Sequence, residues 1–280
     1  MQVVRLGNAR RVLDALTREL PATTNDVVEF MIRAGGATAA LLYPRVPWES
    51  PKVESAIDAL TSSGRAAQLL KTCVRGIPAA RRSVRLSANG AVSVFSAIDL
   101  EPARIEALGR AFLSDEVSGN LATFFVELDT HACGVAIEVA HDGSVRPRWY
   151  TMLDSRSLPR ALNAAREVFR LAPQGLDHVA SVAESITACS SRPLVCNVAG
   201  MSHGAALKIE FPDVPLEQAI PLWTAVGDFD ALNEVMAMSS ELGVETCSYV
   251  GVRAFTTPEV EVSLYLDARD WLPTRSREAP

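Results

Sequence analysis

The sequence predicts an α+β protein: an antiparallel β-barrel of about ten strands, surrounded by helices and enclosing a polar, solvent-filled lumen. Two observations carry this expectation. Period-2 and helical segments alternate as strand pair, then helix pair, over most of the 280 residues. The strands also divide in the same way each time, with aliphatic residues on one face and charges or tyrosines on the other.

The first 80 residues read as mainly helical, with segments at 3–20, 24–34, 51–62 and 65–75. One short strand, “TAALLYP” at 38–44, interrupts them. From 81 to 270 the strand pairs and helix pairs repeat. Strands are predicted at 83–88, 92–98, 122–129, 134–140, 145–153, 193–198, 205–211, 247–255 and 260–267. Helices are predicted at 102–113, 158–171, 176–187, 215–225 and 228–242. “SANGA” (87–91) and “HDGS” (141–144) are hairpin signals. No low-complexity linker divides the chain, so 1–280 is read as a single domain, with 271–280 as its tail.

The two faces show clearly in 260–267, where Val260, Val262, Leu264 and Leu266 oppose Glu261, Ser263, Tyr265 and Asp267. In 205–211, Leu207, Ile209 and Phe211 oppose Lys208 and Glu210. The aliphatic face must be covered, and helices with stripes such as Leu158, Leu162, Val168 and Leu171 are its natural cover. Either an open sheet with helices on one side or a closed barrel satisfies this pattern. Closure removes the exposed edges and suits a sheet of this size, so it is the expected form.

Composition excludes several classes. The formal net charge is −6, only Lys52, Lys71 and Lys208 are lysines, and no basic run occurs, so nucleic acid is not an expected partner. No run approaches the roughly 18 apolar residues of a membrane span. The N-terminus lacks an apolar signal core, and Cys73, Cys133, Cys189, Cys196 and Cys247 are odd in number and scattered. Reduced thiols in a cytoplasmic protein are the plain reading. His131 and Cys133 have no second ligand pair after them, so no metal site is expected. The common phosphate-binding glycine loops are absent.

Gly200-Met201-Ser202-His203-Gly204 spells G-x-S-x-G, the hydrolase nucleophile elbow. That elbow needs a helix after the serine, and “GAALKIEF” alternates as a strand. It also needs a histidine later in the chain, and none follows His203. Ser202 is therefore expected to lie in a turn between two strands.

The polar face carries the remaining chemistry. Arg85, Arg148, Lys208 and Arg253 fall one to a strand group, and Tyr150, Tyr249 and Tyr265 accompany them. Rolled into a barrel, four cations facing one lumen compensate a diphosphate, and like charges so placed call for an anion. Tyrosine faces can shield a carbocation. Glu127, on the predicted strand 122–129, can accept a proton from an attacking nucleophile. Taken singly, each has a plain structural reading as a solvated or packed residue; the repetition of one face is the informative part.

The strand-and-helix order, the expected barrel and the single basic residue per unit resemble the ABBA-type (PT-barrel) prenyltransferases. The resemblance spans roughly 35–270 and is one of pattern. That family often places a basic residue two before a tyrosine on a strand, as in Arg148-Trp149-Tyr150. Lys208 is followed at this spacing by Glu210, and Arg253 by Phe255, which depart from the pattern. The resemblance implies transfer of a prenyl group from dimethylallyl or geranyl diphosphate to an aromatic or peptide acceptor. Some members use Mg2+. The alternative from another class is a non-enzymatic binding or assembly protein that docks a partner on the polar face of an open sheet.

Overall fold

A computed structural model of the chain describes residues 27–33, 38–43, 50–61, 64–75, 81–87, 91–140, 143–186, 192–202, 204–225 and 243–267, with single positions inside 11–15 and 233–241. Most of the predicted helices 3–20 and 228–242, the centres of both hairpin signals and the tail 271–280 lie outside the described residues.

In chain order the elements are β1 (Val27–Arg33), β2 (Thr38–Tyr43), α1 (Ser50–Leu60), α2 (Gly64–Arg75), β3 (Arg81–Ser87) and β4 (Val92–Leu100). There follow α3 (Pro102–Gly109), α4 (Asp115–Glu127), β5 (Ala132–Val139), β6 (Val145–Leu153), α5 (Leu158–Phe169) and α6 (Pro173–Ser185). The last are β7 (Leu194–Met201), β8 (Gly204–Pro215), α7 (Leu216–Ala225), β9 (Thr246–Ala254) and β10 (Val260–Asp267). Each strand pairs antiparallel with its neighbours in sequence. β1 also pairs with β10, so the ladder curls back to its start.

Helices wrap the outer face: α2 lies on β5, α4 on β7, α5 on β8, and α6 and α7 on β9. Burial explains why. Val84, Val94, Val135, Ile137, Trp149, Val198, Leu207, Ile209, Val250, Val252, Val262 and Leu264 are buried on one face of successive strands and join a single core with Phe124, Leu162 and Val179 of the helices. The start of α6 is fixed closely against β9. The Ala172 amide donates to the Phe255 carbonyl at 2.9 Å, and a Cβ on Gly175 would stand 3.1 Å from that of Ala254.

Two predicted elements change type. Residues 24–34 were expected to be helical, but Val27–Arg33 is the strand β1. Its Val-Val-Glu-Phe-Met-Ile run favours a strand, and Gly35-Gly36 follows it. Residues 122–129 were expected to be a strand and instead form the end of α4 and the residues after it. Ser114 caps that helix by accepting from the Val117 amide, and Asp115 and Glu116 favour its positive end. Its buried positions, Val117, Leu121, Phe124 and Phe125, follow the helical period, while Val126 is 59% exposed. Among the predicted strands 122–129 is thus a false one, and β1 was missed.

Trp149 is wholly buried on the outer face, between β6 and the helices. Trp149→Ala is expected to destabilise the fold by about 3–5 kcal/mol, read from the urea midpoint at unchanged slope. A loss below about 1 kcal/mol would contradict this placement.

Candidate functional site

Antiparallel pairing fixes which side chains share the inner face, because directly opposed residues point the same way. Tyr150 opposes Asn197, Asn197 opposes Lys208, Lys208 opposes Arg253, and Arg253 opposes Glu261. This one row crosses five strands. A second row runs Val195, Glu210, Gly251, Ser263. A third places Tyr249 opposite Tyr265. On the far side, Arg85 opposes Ser93, and Ser93 opposes Glu138. Two residues along each strand from these positions comes the next inward one, which puts Arg148 on this face too.

The four expected cations therefore all lie on the inner face, and all four are buried. They crowd toward the end of the sheet with the short hairpins, as their places in the strand ranges require. Tyr249 and Tyr265 lie toward the end where the helices connect. Tyr150 sits at mid-strand in β6 and packs edge-on to Phe95, ring centroids 5.2 Å apart.

Buried cations need partners, and these have them. Arg148 Nη2 donates to Glu138 Oε2 at 2.7 Å. Arg253 Nη1 donates to Glu261 Oε1 at 2.9 Å. Lys208, 1% exposed, stands 3.0 Å from Glu210 Oε1 and donates to the Tyr265 hydroxyl. Its ammonium also lies 4.6 Å from the Tyr265 ring centroid. Tyr265 Oη in turn donates to Glu210 Oε1 at 2.7 Å, and Asn197 Nδ2 to the same oxygen at 3.3 Å. The expectation of four like charges awaiting an anion is corrected: carboxylates already occupy Arg148, Lys208 and Arg253.

These groups set each other's ionisation. Burial works against the Arg148 charge, but Glu138 and the tyrosines Tyr150 and Tyr265 outweigh it and hold the guanidinium firmly protonated. Burial likewise disfavours the Glu210 anion. Lys208, Tyr265 and Arg253 overcome that, so the carboxyl ionises below its ordinary range. Burial raises the Tyr150 phenol, with Arg148 pulling against it. Glu210 pushes the same phenol up and Arg85 pulls it down.

Glu127 is a correction. It ends α4 on the outside, exposed, far from the inward rows. Ser202 is exposed in the turn between β7 and β8, and a strand follows it, so the elbow geometry is absent. Among the described residues no three His, Cys, Asp or Glu side chains gather as a metal site. Burial pushes the Cys247 thiol up to about 12, and this leaves it inert at neutral pH.

The sequence reading did not include Glu138, Glu210, Glu261 and Asn197 among the site residues. The first three stood on the polar face, but their pairing depends on register. It also missed Arg192, just before β7. Arg192 ion-pairs with Asp213 at 2.8 Å, bonds the Tyr249 hydroxyl and stacks 4.9 Å from that ring.

No protein-family model matches the chain, and no curated protein matches it. Solved structures do. The 5-dimethylallyltryptophan synthase of Streptomyces coelicolor aligns with TM-score 0.62 at 15% identity over 98% of this chain and 97% of its own. The 6-dimethylallyltryptophan synthase of Micromonospora olivasterospora, solved in complex with DMASPP and Trp, aligns with TM-score 0.60 at 15% identity over 87% and 82%. AnaPT of Neosartorya fischeri aligns with TM-score 0.59 at 10% identity over 86% and 78%. At such identities the likeness is one of fold.

Two outcomes follow from the geometry. A Cβ on Gly251 would stand 2.2 Å from Lys208 Cε. Gly251→Ala is therefore expected to destabilise the protein by about 1–3 kcal/mol in urea unfolding, and a neutral result would contradict the packing. The second concerns acid. Since the folded state depresses the Glu210 ionisation below its ordinary 4.5, its stabilisation is complete above that value and is lost as pH falls through the lower, folded one. Urea midpoints followed from pH 6 downward should fall less steeply in Glu210→Gln than in the wild type. Parallel curves would refute the coupling.

Proposed function

From the barrel fold that this chain shares with the ABBA-type prenyltransferases, we propose that it transfers an allylic prenyl group from its diphosphate to an electron-rich acceptor, an aromatic small molecule or a peptide side chain, inside a closed, solvent-filled lumen of ten strands. The observation that carries the reading is the inward row Tyr150, Asn197, Lys208, Arg253 across β6–β9. It sets cations beside aromatic rings in an enclosed interior, as the reaction requires.

The chemistry runs as follows. The bond from the allylic carbon to the diphosphate oxygen breaks, and its electron pair leaves with the diphosphate. Arg85, Arg148, Lys208 and Arg253 stabilise the charge growing on that oxygen, most strongly where water is excluded. Tyr150, Tyr249 and Tyr265 offer π-faces to the allylic cation and keep water from it. The acceptor's π-electrons then form the new bond to carbon, and the cation so formed loses the proton at its reacting atom to water, giving the prenylated acceptor. Dimethylallyl and geranyl diphosphate are the donors proposed. Among the neighbours, the S. coelicolor enzyme has been solved with DMASPP and Trp, and the prenyltransferase PriB with L-tryptophan and dimethylallyl thiolodiphosphate. The alternative of a docking protein loses its premise, because the polar face is turned inward.

Calorimetry with dimethylallyl thiolodiphosphate tests the reading, together with turnover of dimethylallyl diphosphate over a panel of aromatic acceptors that includes tryptophan. Arg253→Ala removes a charge-assisted hydrogen bond worth roughly 1.5–3 kcal/mol, so affinity should weaken about 10- to 150-fold. Unchanged affinity in alanine variants of all four cations would end the reading.

A further inference from the structure

Glu138 and Arg146 oppose each other directly across the β5–β6 ladder. The carboxylate does not settle on that partner. It leans further along β6, where Arg148 Nη2 donates to its Oε2 at 2.7 Å, while Arg146 Nη1 stands 3.8 Å from its Oε1. One buried acid thus lies between two guanidiniums of different setting. The Arg148 side chain is 5% exposed; that of Arg146, one step nearer the hairpin end of the same strand, is 59% exposed. A buried guanidinium needs a partner anion, because bare charge in the interior is costly. An exposed one is solvated and gains little from an ion pair. With no other anion nearby the carboxylate therefore belongs on Arg148, as observed. An anion that seats on Arg148 removes that need, and its own charge then repels the carboxylate. Arg146 is a second cation already close to the other oxygen.

We propose that Glu138 is an exchangeable internal counter-ion: it holds Arg148 while no diphosphate is bound, and turns to Arg146 when a diphosphate seats on Arg148. This rests on the prenyltransferase reading. No covalent bond forms or breaks in the exchange, and the charge of the chain does not change. Arg148 passes from one anion to the other and is never left bare. Arg146 is a positioning residue, since it acts on the diphosphate site through Glu138. The exchange works in both directions. The carboxylate competes with the incoming donor and weakens its binding, and after the transfer it competes in the same way with the product diphosphate and favours its release.

The test is a double-mutant cycle read by calorimetry with dimethylallyl thiolodiphosphate, using wild type, Glu138→Gln, Arg146→Gln and the variant carrying both. Glu138→Gln should tighten binding about 10-fold, because one charge-assisted hydrogen bond no longer has to be given up. Arg146→Gln should weaken binding about 2- to 5-fold in the protein that keeps Glu138, since the displaced carboxylate loses its second partner. It should have no effect beside Glu138→Gln. Glu138→Asp keeps the charge opposite Arg146 but shortens its reach to Arg148. It should tighten binding as the glutamine variant does, and it carries the test where that variant does not fold. Weaker or unchanged binding in Glu138→Gln and Glu138→Asp would show that the acid only holds Arg148 in place, and would overturn the proposal while the parent reading stands. An equal loss from Arg146→Gln in both backgrounds would overturn it too, because Arg146 would then meet the diphosphate directly. A wild type that does not bind the thiolodiphosphate would end both.

Discussion

Lys208 reaches Tyr265 across the full width of β9, and it can do so because residue 251 has no side chain. The two partners are on β8 and β10, two strands apart in the ladder. Side chains that far apart do not ordinarily meet. Here the lysine passes over the bare backbone of Gly251, where even a methyl group would overlap it. Glu210 and Ser263 flank the same gap in the opposed row. One missing Cβ thus joins a cation, a carboxylate and a phenol into one buried unit, and that unit sets the ionisation of the interior. A wholly buried ammonium without such partners would lose its charge or the fold its stability.

The same constraint shapes what the lumen can bind. Beside the inward cations Arg148, Lys208 and Arg253 stand the carboxylates Glu138, Glu210 and Glu261. Under the proposed function, a diphosphate entering this interior would meet carboxylates already seated, and its affinity would be the difference between two sets of ion pairs. Glu138 and Glu261, beside Arg148 and Arg253, lie nearest the hairpin end.

Much of this was legible in the sequence, and the failures have physical causes. The period-2 division of 205–211 and 260–267 placed Lys208 and Tyr265 on the inner face without any structure. Residues 122–129 misled because Phe124, Val126 and Leu128 alternate over a window shorter than two helical turns. The capping Ser114 and the acidic first turn behind it were the signals that distinguish helix from strand. β1 was misread because Val-Val-Glu-Phe-Met-Ile, taken with its surroundings, fits either period. Pairing was out of reach for another reason. That Glu138 meets Arg148 and Glu261 meets Arg253 depends on register and on how long side chains lean along a strand, and composition carries neither.

Register also explains how the interior keeps an aromatic ring beside Lys208 where the strand pattern departs from basic-x-tyrosine. At Arg253 the second following residue, Phe255, is already past the end of β9, and its carbonyl is taken by the start of α6. It is not an inward strand position at all. At Lys208 the second following residue is a carboxylate. At Lys208 the ring comes from across the sheet. Tyr265 packs on the Lys208 ammonium from β10, and Tyr249 stands edge-on to it at 6.0 Å. Supplying the ring from β10 leaves position 210 on β8 open to a different group, and a carboxylate fills it. An aromatic beside the cation and an acid beside the aromatic are both present, at the expense of one glycine on the strand between them.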